Sequence, residues 1–174
     1  MAQRDSKYQL NQFIELDGAE FGTIEKTKVL VAVETKTWQD ENGKENQKAG
    51  FAKIQVASET KEEAQNFVEE VVKVGSFINT DGSKALRNLE NFSVDYQVMD
   101  GKKDRLDQWL PWVHTLIGNA KTWINGTHHG VSSKYLGKYL SEFIYRFNRR
   151  HSPPTMFHRM AFAVCSARLP APTG

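Results

Sequence analysis

The spacing of hydrophobic positions changes midway along the chain. The first half carries short β-branched runs separated by turn residues, whereas the second half carries apolar residues three and four apart, so strands come first and helices follow. Phe13-Ile14-Glu15-Leu16-Asp17 predicts a strand ending in a polar turn. Lys28-Val29-Leu30-Val31-Ala32-Val33-Glu34 lacks alternation and predicts a strand buried on both faces, with Gly22-Thr23 in the connection before it. Asp40, Asn42 and Gly43 mark a hairpin, and Ala49 to Ala57 then alternates as a third, antiparallel strand. Ser58 or Thr60 caps a helix with Ala64, Phe67, Val68, Val71 and Val72 on one face and Glu62, Glu63, Glu69 and Glu70 outside; it is expected to end at Gly75. Ser76 to Thr80 is a short apolar strand running into Asp81-Gly82-Ser83, followed by an expected helix from Ser83 to Leu89 and a returning strand.

Three antiparallel strands, then helix, parallel strand, helix and strand, with helices to the end, is the order of an α/β ribonuclease-H-like core. The last of these helices is expected from about Ser133 to Arg150. Tyr135, Leu136, Tyr139, Phe143 and Phe147 form its apolar stripe, and Lys134, Lys138, Glu142, Arg146 and Arg149 its charged edge.

Composition narrows the picture. With 174 residues, 39% hydrophobic and 25% charged, the chain fits one globular domain and excludes disorder, collagen and a disulfide scaffold. No apolar run approaches the ~20 residues of a membrane span, and the start lacks the apolar stretch of a secretory signal, so a soluble cytoplasmic protein is expected. The single cysteine, Cys165, excludes an internal disulfide and a Cys-based zinc cluster within the chain, and is expected to be a small buried hydrophobe. Charge is more informative. Residues 1–109 hold 15 basic and 20 acidic side chains, net −5, whereas residues 110–174 hold 8 basic residues and one acid, Glu142, net +7, with all five histidines. Such a basic segment suits a polyanion, nucleic acid first.

Asp17 and Asp81 fall at the expected ends of the first and fourth strands. Carboxylates at matching positions on neighbouring strands lie about 5 Å apart, close enough to share divalent ions that stabilise the attacking and leaving oxygens of phosphodiester chemistry. Aspartate at a strand end also serves ordinary turn chemistry, so the pair does not decide the matter alone.

A denser constellation lies beyond Leu110. The segments Leu110-Pro111-Trp112-Val113-His114, Ile117-Gly118-Asn119-Ala120-Lys121-Thr122-Trp123-Ile124, Gly126-Thr127-His128-His129-Gly130, Tyr139-Leu140 and Glu142 through Arg150 resemble prokaryotic insertion-sequence transposases of the ISXO-like DDE-type group. Glu15-Leu16-Asp17, Val29 to Glu34 and Thr80-Asp81-Gly82 follow that family's order, and the resemblance covers about residues 7–160, leaving 161–174 as a C-terminal tail. It resembles the branch in which Asn replaces the third acid and a Lys follows. It implies Asp17, Asp81 and Asn119 as metal ligands, Lys121 as the accompanying lysine, and Glu142 as a supplementary ligand or as the residue orienting Arg146. Asn119 and Lys121 are two positions apart, about 200° around a helix, so a helix break is expected between them. The resemblance also implies two Mg²⁺ ions, with Mn²⁺ able to substitute, and DNA as partner at element ends and target. It implies a homo-oligomer on DNA, associated with the nucleoid, and the absence of the family's N-terminal zinc-binding recognition domain here.

His128 or His129 in the Gly126–Gly130 loop, with Lys121, Lys134, Lys138, Arg146, Arg149 and Arg150, are expected to meet DNA phosphates. Zinc binding by these histidines with His114 is disfavoured, because adjacent residues point about 100° apart on a helix. Trp109, Trp112 and Trp123 serve either core packing or stacking on unpaired bases. The expected activity is metal-dependent cleavage and strand transfer; the alternative is a catalytically silent DNA-binding remnant.

Overall fold

A computed structural model describes residues 7–22, 26–97, 108–128, 131–151 and 161. Its centre is a five-stranded sheet formed by β1 (Phe13–Phe21), β2 (Thr27–Gln39), β3 (Glu45–Val56), β4 (Phe77–Thr80) and β5 (Ser93–Tyr96), in the spatial order β3-β2-β1-β4-β5. β1 to β3 pair antiparallel; β4 pairs parallel to both β1 and β5. The helices are α1 (Lys61–Val71), α2 (Pro111–His128) and α3 (Ser133–Phe147). This mixed α/β arrangement is that of a ribonuclease-H-like core.

Strand alternation divides the apolar residues between two cores. Leu30 and Ala32 of β2, with Ile14, Leu16 and Ile78, pack against Ala64, Phe67, Val68 and Val71 of α1. Val29, Val31 and Val33 face the other way, against Val113, Leu116, Ile117 and Ala120 of α2 and Leu136, Leu140 and Ile144 of α3. The unbroken apolar run of β2 is thus used on both sides.

Local chemistry explains the joints. At the β2–β3 hairpin, Asp40 Oδ1 accepts from the N–H groups of Asn42 (3.0 Å) and Lys44 (2.9 Å), and Gly43 takes φ +77°. Thr60 is the N-cap of α1, its side chain accepting from Glu63 N at 3.2 Å. The helix stops at Val72, and Gly75, at φ +87°, lies in the turn that follows.

Three expectations are corrected. β1 runs on to Phe21, because β2 pairs with it along its whole length, so Asp17 lies mid-strand. Ser83 to Leu89 forms turns, including Leu86 N–H to Ser83 C=O at 3.0 Å; seven residues are too few to sustain a helix without tertiary support. α2 is continuous through Asn119 and Lys121.

The outer edge of β3 is met by the residues that end α3. Asn148 Oδ1 accepts from Ala52 N–H at 2.8 Å and its amide donates back to Ala52 C=O at 3.0 Å. Arg150 donates to the carbonyls of Gly50 and Ala49.

Candidate active site

β1 and β4 are parallel neighbours, with Leu16 opposite Thr80 as their last pair. One residue further along, Asp17 and Asp81 follow in register, close enough for Asp81 to act electrostatically on Asp17. Asp17 points to the α2 side of the sheet, where its Oδ2 lies 3.3 Å from His114 Nε2. Burial, aided by repulsion from Asp81, holds the Asp17 carboxyl above its ordinary range, and the His114 contact opposes that rise. The Asp17 side chain is 14% exposed and that of His114 23%, so the pair lies in a shielded cleft that solvent still reaches.

Asp81 begins a tight turn. Its Oδ1 accepts from Ser83 N–H at 2.9 Å and from the Thr80 hydroxyl at 3.3 Å, while Gly82 adopts φ +78°. The Trp109 indole donates to Thr80 C=O at 3.0 Å, tying the approach to α2 to the end of β4.

Glu15, on the same face of β1 as Asp17, fixes the register of α2. Its Oε2 accepts from the N–H groups of Trp112 and Val113, each at 2.8 Å, and its Oε1 accepts from the Thr35 hydroxyl at 3.4 Å. A strand carboxylate thereby satisfies two orphan donors of a first turn that has no acid of its own. Burial pushes the Glu15 carboxyl up to about 7, against the lowering effect of those hydrogen bonds. With Trp112 and Val113 held by position 15, the next residue, His114, meets position 17.

The sequence-predicted residues fall into groups. Asp17 and Asp81 come together. Asn119 does not join them: it is exposed, five residues beyond His114 and so about 140° around α2. Lys121, seven residues beyond, returns to within about 20° of the His114 direction, with Nζ 5.6 Å from the Phe21 ring at the end of β1. Between them Gly118 leaves open space, since a Cβ there would meet nothing within 4 Å. Glu142 lies on α3, which packs over β3, two strand spacings from β1; its carboxylate is 4.0 Å from Arg146. Lys134 and Lys138 lie beside Tyr135. Arg149 stacks on Tyr145 at 3.6 Å, and Arg150 is engaged at the β3 edge. Trp109, Trp112 and Trp123 pack against the α2–α3 core. His128 contributes backbone to the end of α2; its side chain, His129, Cys165 and the loop at 23–25 lie outside the described residues. In the sequence His114 stands in the Leu110–His114 segment and among the histidines disfavoured for zinc, with no role of its own. Its i, i+7 relation to Lys121 is the signal that places both on one stripe.

Among the described residues, no group of three or more His, Cys, Asp and Glu side chains is arranged to hold a metal ion. The donors present nevertheless fit Mg²⁺, which uses one or two carboxylates and completes its shell with water and phosphate oxygens. Two carboxylates converge, and beside Asp81 the buried Ser83 hydroxyl has no hydrogen-bond partner among the described residues.

The sheet is ribonuclease-H-like, with Asp17 on β1 and Asp81 directly after its parallel neighbour β4. The family model for the ISXO2-like transposase domain matches residues 9–148, and the chain belongs to that family of insertion-sequence transposases. Neither a curated protein nor a solved structure matches the chain. No helix among the described residues is long and apolar enough to cross a membrane.

Proposed function

We propose that this chain is the catalytic domain of an insertion-sequence transposase that cleaves DNA and transfers strands with divalent metal ions. The observation that carries the reading is the convergence of Asp17, Asp81 and His114 at the centre of the sheet. Asp17 and Asp81 are the metal-holding carboxylates, and His114, rather than Asn119, is the residue of α2 that stands beside them. Two Mg²⁺ ions, or Mn²⁺ in their stead, would supply charge stabilisation at the attacking and leaving oxygens. The chain's own residues do the rest. Asp17 and Asp81 would hold those ions, and through them the reacting phosphate, where β1 passes the end of β4, and His114 orients the Asp17 carboxylate through its 3.3 Å contact. Lys121, on the same stripe, meets a neighbouring phosphate as a point charge across the gap left by Gly118. Lys134, Lys138, Arg146, Arg149 and Arg150, with His128 and His129, extend the DNA contact, and Glu142 orients Arg146 rather than the metal. The domain spans 7–160 with a tail at 161–174, and works as a homo-oligomer on DNA at the nucleoid in the cytoplasm.

Nicking of supercoiled plasmid in Mn²⁺ tests this. The wild type nicks, and EDTA abolishes it. Asp81→Asn abolishes it too while retaining DNA binding. His114→Ala lowers the nicking rate at least about tenfold, the loss of roughly 1.4 kcal/mol of transition-state stabilisation, and Asn119→Ala leaves it unchanged. Nicking by Asp81→Asn, or a wild type that binds DNA without cutting it, refutes the enzymatic reading; the latter result identifies a silent binding remnant.

A further inference from the structure

The two aspartates are not held in the same way. Asp17 lies within β1, paired with Val31 of β2, so the backbone ladder fixes its place. Asp81 lies one residue beyond Thr80, the last paired residue of β4, where the ladder has ended. The turns over Ser83 to Leu89 that follow contain no helix to anchor it. Arg87 there lines an open cavity of about 360 Å³ with Lys61, Phe92 and Val94, so packing alone does not immobilise the segment. Yet a site built from two carboxylates needs each held within about 0.5 Å of its working position.

Arg87 supplies the missing tie. Leu86 before it and Leu89 after it are buried in the α1-side core, which anchors the backbone at that point. From there the side chain returns across the turn, and its Nε donates to the carbonyl of Gly82, the residue after Asp81. The guanidinium carbon lies 5.3 Å from the centre of the Tyr96 ring, on the strand beside β4. Tyr96 also bounds Gly82 itself: a Cβ there would come within 3.1 Å of the ring, at a φ of +78° where a side chain is strained in any case. Among the described residues no carboxylate pairs with Arg87, so its charge is directed at that carbonyl.

We propose that Arg87 is a positioning residue for Asp81: by closing the turn onto Gly82 against Tyr96, it holds the Asp81 carboxylate where it can share a divalent ion with Asp17. The inference rests on the metal-dependent reading above. Arg87 acts through the backbone and touches neither ion nor DNA. Removing a group that orients a metal ligand weakens metal affinity about 10–100-fold, whereas removing a phosphate contact changes the salt dependence of DNA binding. The two roles are therefore separable by measurement.

The test is titration of Mn²⁺ into the full chain, with free Mn²⁺ read by electron paramagnetic resonance, and it needs no turnover. The site is defined as the binding that Asp81→Asn removes. Arg87→Ala is expected to weaken that binding at least about tenfold, and Arg87→Lys, which keeps a donor in reach of the carbonyl, to weaken it less. Asn148→Ala, at the outer β3 edge, lowers stability without touching the turn and is expected to keep wild-type affinity. Wild-type affinity in both Arg87 variants overturns the proposal and leaves the two-carboxylate site standing. So does an equal loss in Asn148→Ala, which marks the effect as general destabilisation. Where Arg87→Ala does not fold, wild-type affinity in Arg87→Lys overturns the proposal alone. A wild type with no Asp81-dependent binding overturns the metal reading and the proposal together. A second arm measures fluorescence polarisation of a labelled duplex over a KCl series in EDTA. An unchanged log–log slope in Arg87→Ala supports the positioning role, and a slope shallower by about 0.9 reassigns Arg87 to a phosphate and overturns it.

Discussion

Replacing Glu15 with Gln isolates the electrostatic part of the joint between β1 and α2. The amide is the same shape, and its oxygen can accept from Trp112 and Val113 while its NH₂ faces the Thr35 hydroxyl, so every hydrogen bond has a counterpart. What changes is charge. Burial raises the wild-type carboxyl from 4.5 to about 7, so between those values the folded protein holds a proton that the unfolded chain has released. Stability from this group is therefore fully present below pH 4.5 and is lost as pH rises through 7. A shift of that size corresponds to about 3 kcal/mol, and Glu15 is only 4% exposed, so solvent screening removes little of it. Urea denaturation of both proteins from pH 4 to 8 reads the difference directly. Glu15→Gln is expected to gain about 3 kcal/mol relative to wild type across that window, with the change concentrated between 4.5 and 7. A difference between the two proteins that stays constant with pH refutes the reasoning, and one that moves in the opposite direction shows that the helix N–H groups outweigh burial.

Two further outcomes follow from the geometry. Gly118→Ala raises stability by about 0.5–1 kcal/mol, because the added methyl meets nothing and a mid-helix glycine carries an entropic cost; a fall in the urea midpoint contradicts this. Asn148→Ala strips both polar groups of Ala52 of their partner and costs about 2–4 kcal/mol in the same assay, whereas a loss under 0.5 kcal/mol shows that water replaces the amide.

Much of the fold is legible in the chain because it is written in periodicity. The unbroken run at Val29–Val33 announces a strand with helices on both faces, and the acidic-outside pattern at 61–71 announces α1. Asp17 and Asp81 are legible because parallel neighbours with known order bring matching positions together. Strand ends are less so. β1 continues through Gly18 and Ala19, weak strand formers by themselves, since β2 supplies pairing for them. The place of His114 beside Asp17 is hidden for a similar reason: which side of α2 faces the aspartates depends on where Glu15 grips Trp112 and Val113, a long-range contact that leaves no local trace. Asn119, exposed and about 140° around α2 from His114, points elsewhere on the helix, while His114 reads as an unremarkable histidine until the helix is docked.

The side-chain amide of Asn148 does for β3 what another strand would do, offering an acceptor and a donor to a single residue of an open edge. Twelve residues of strand with an unguarded rim would invite a second copy to add itself by backbone pairing. The last turn of α3 therefore acts as a guard against self-templating, and its fraying, rather than global unfolding, is the event that would start edge-to-edge aggregation of this protein.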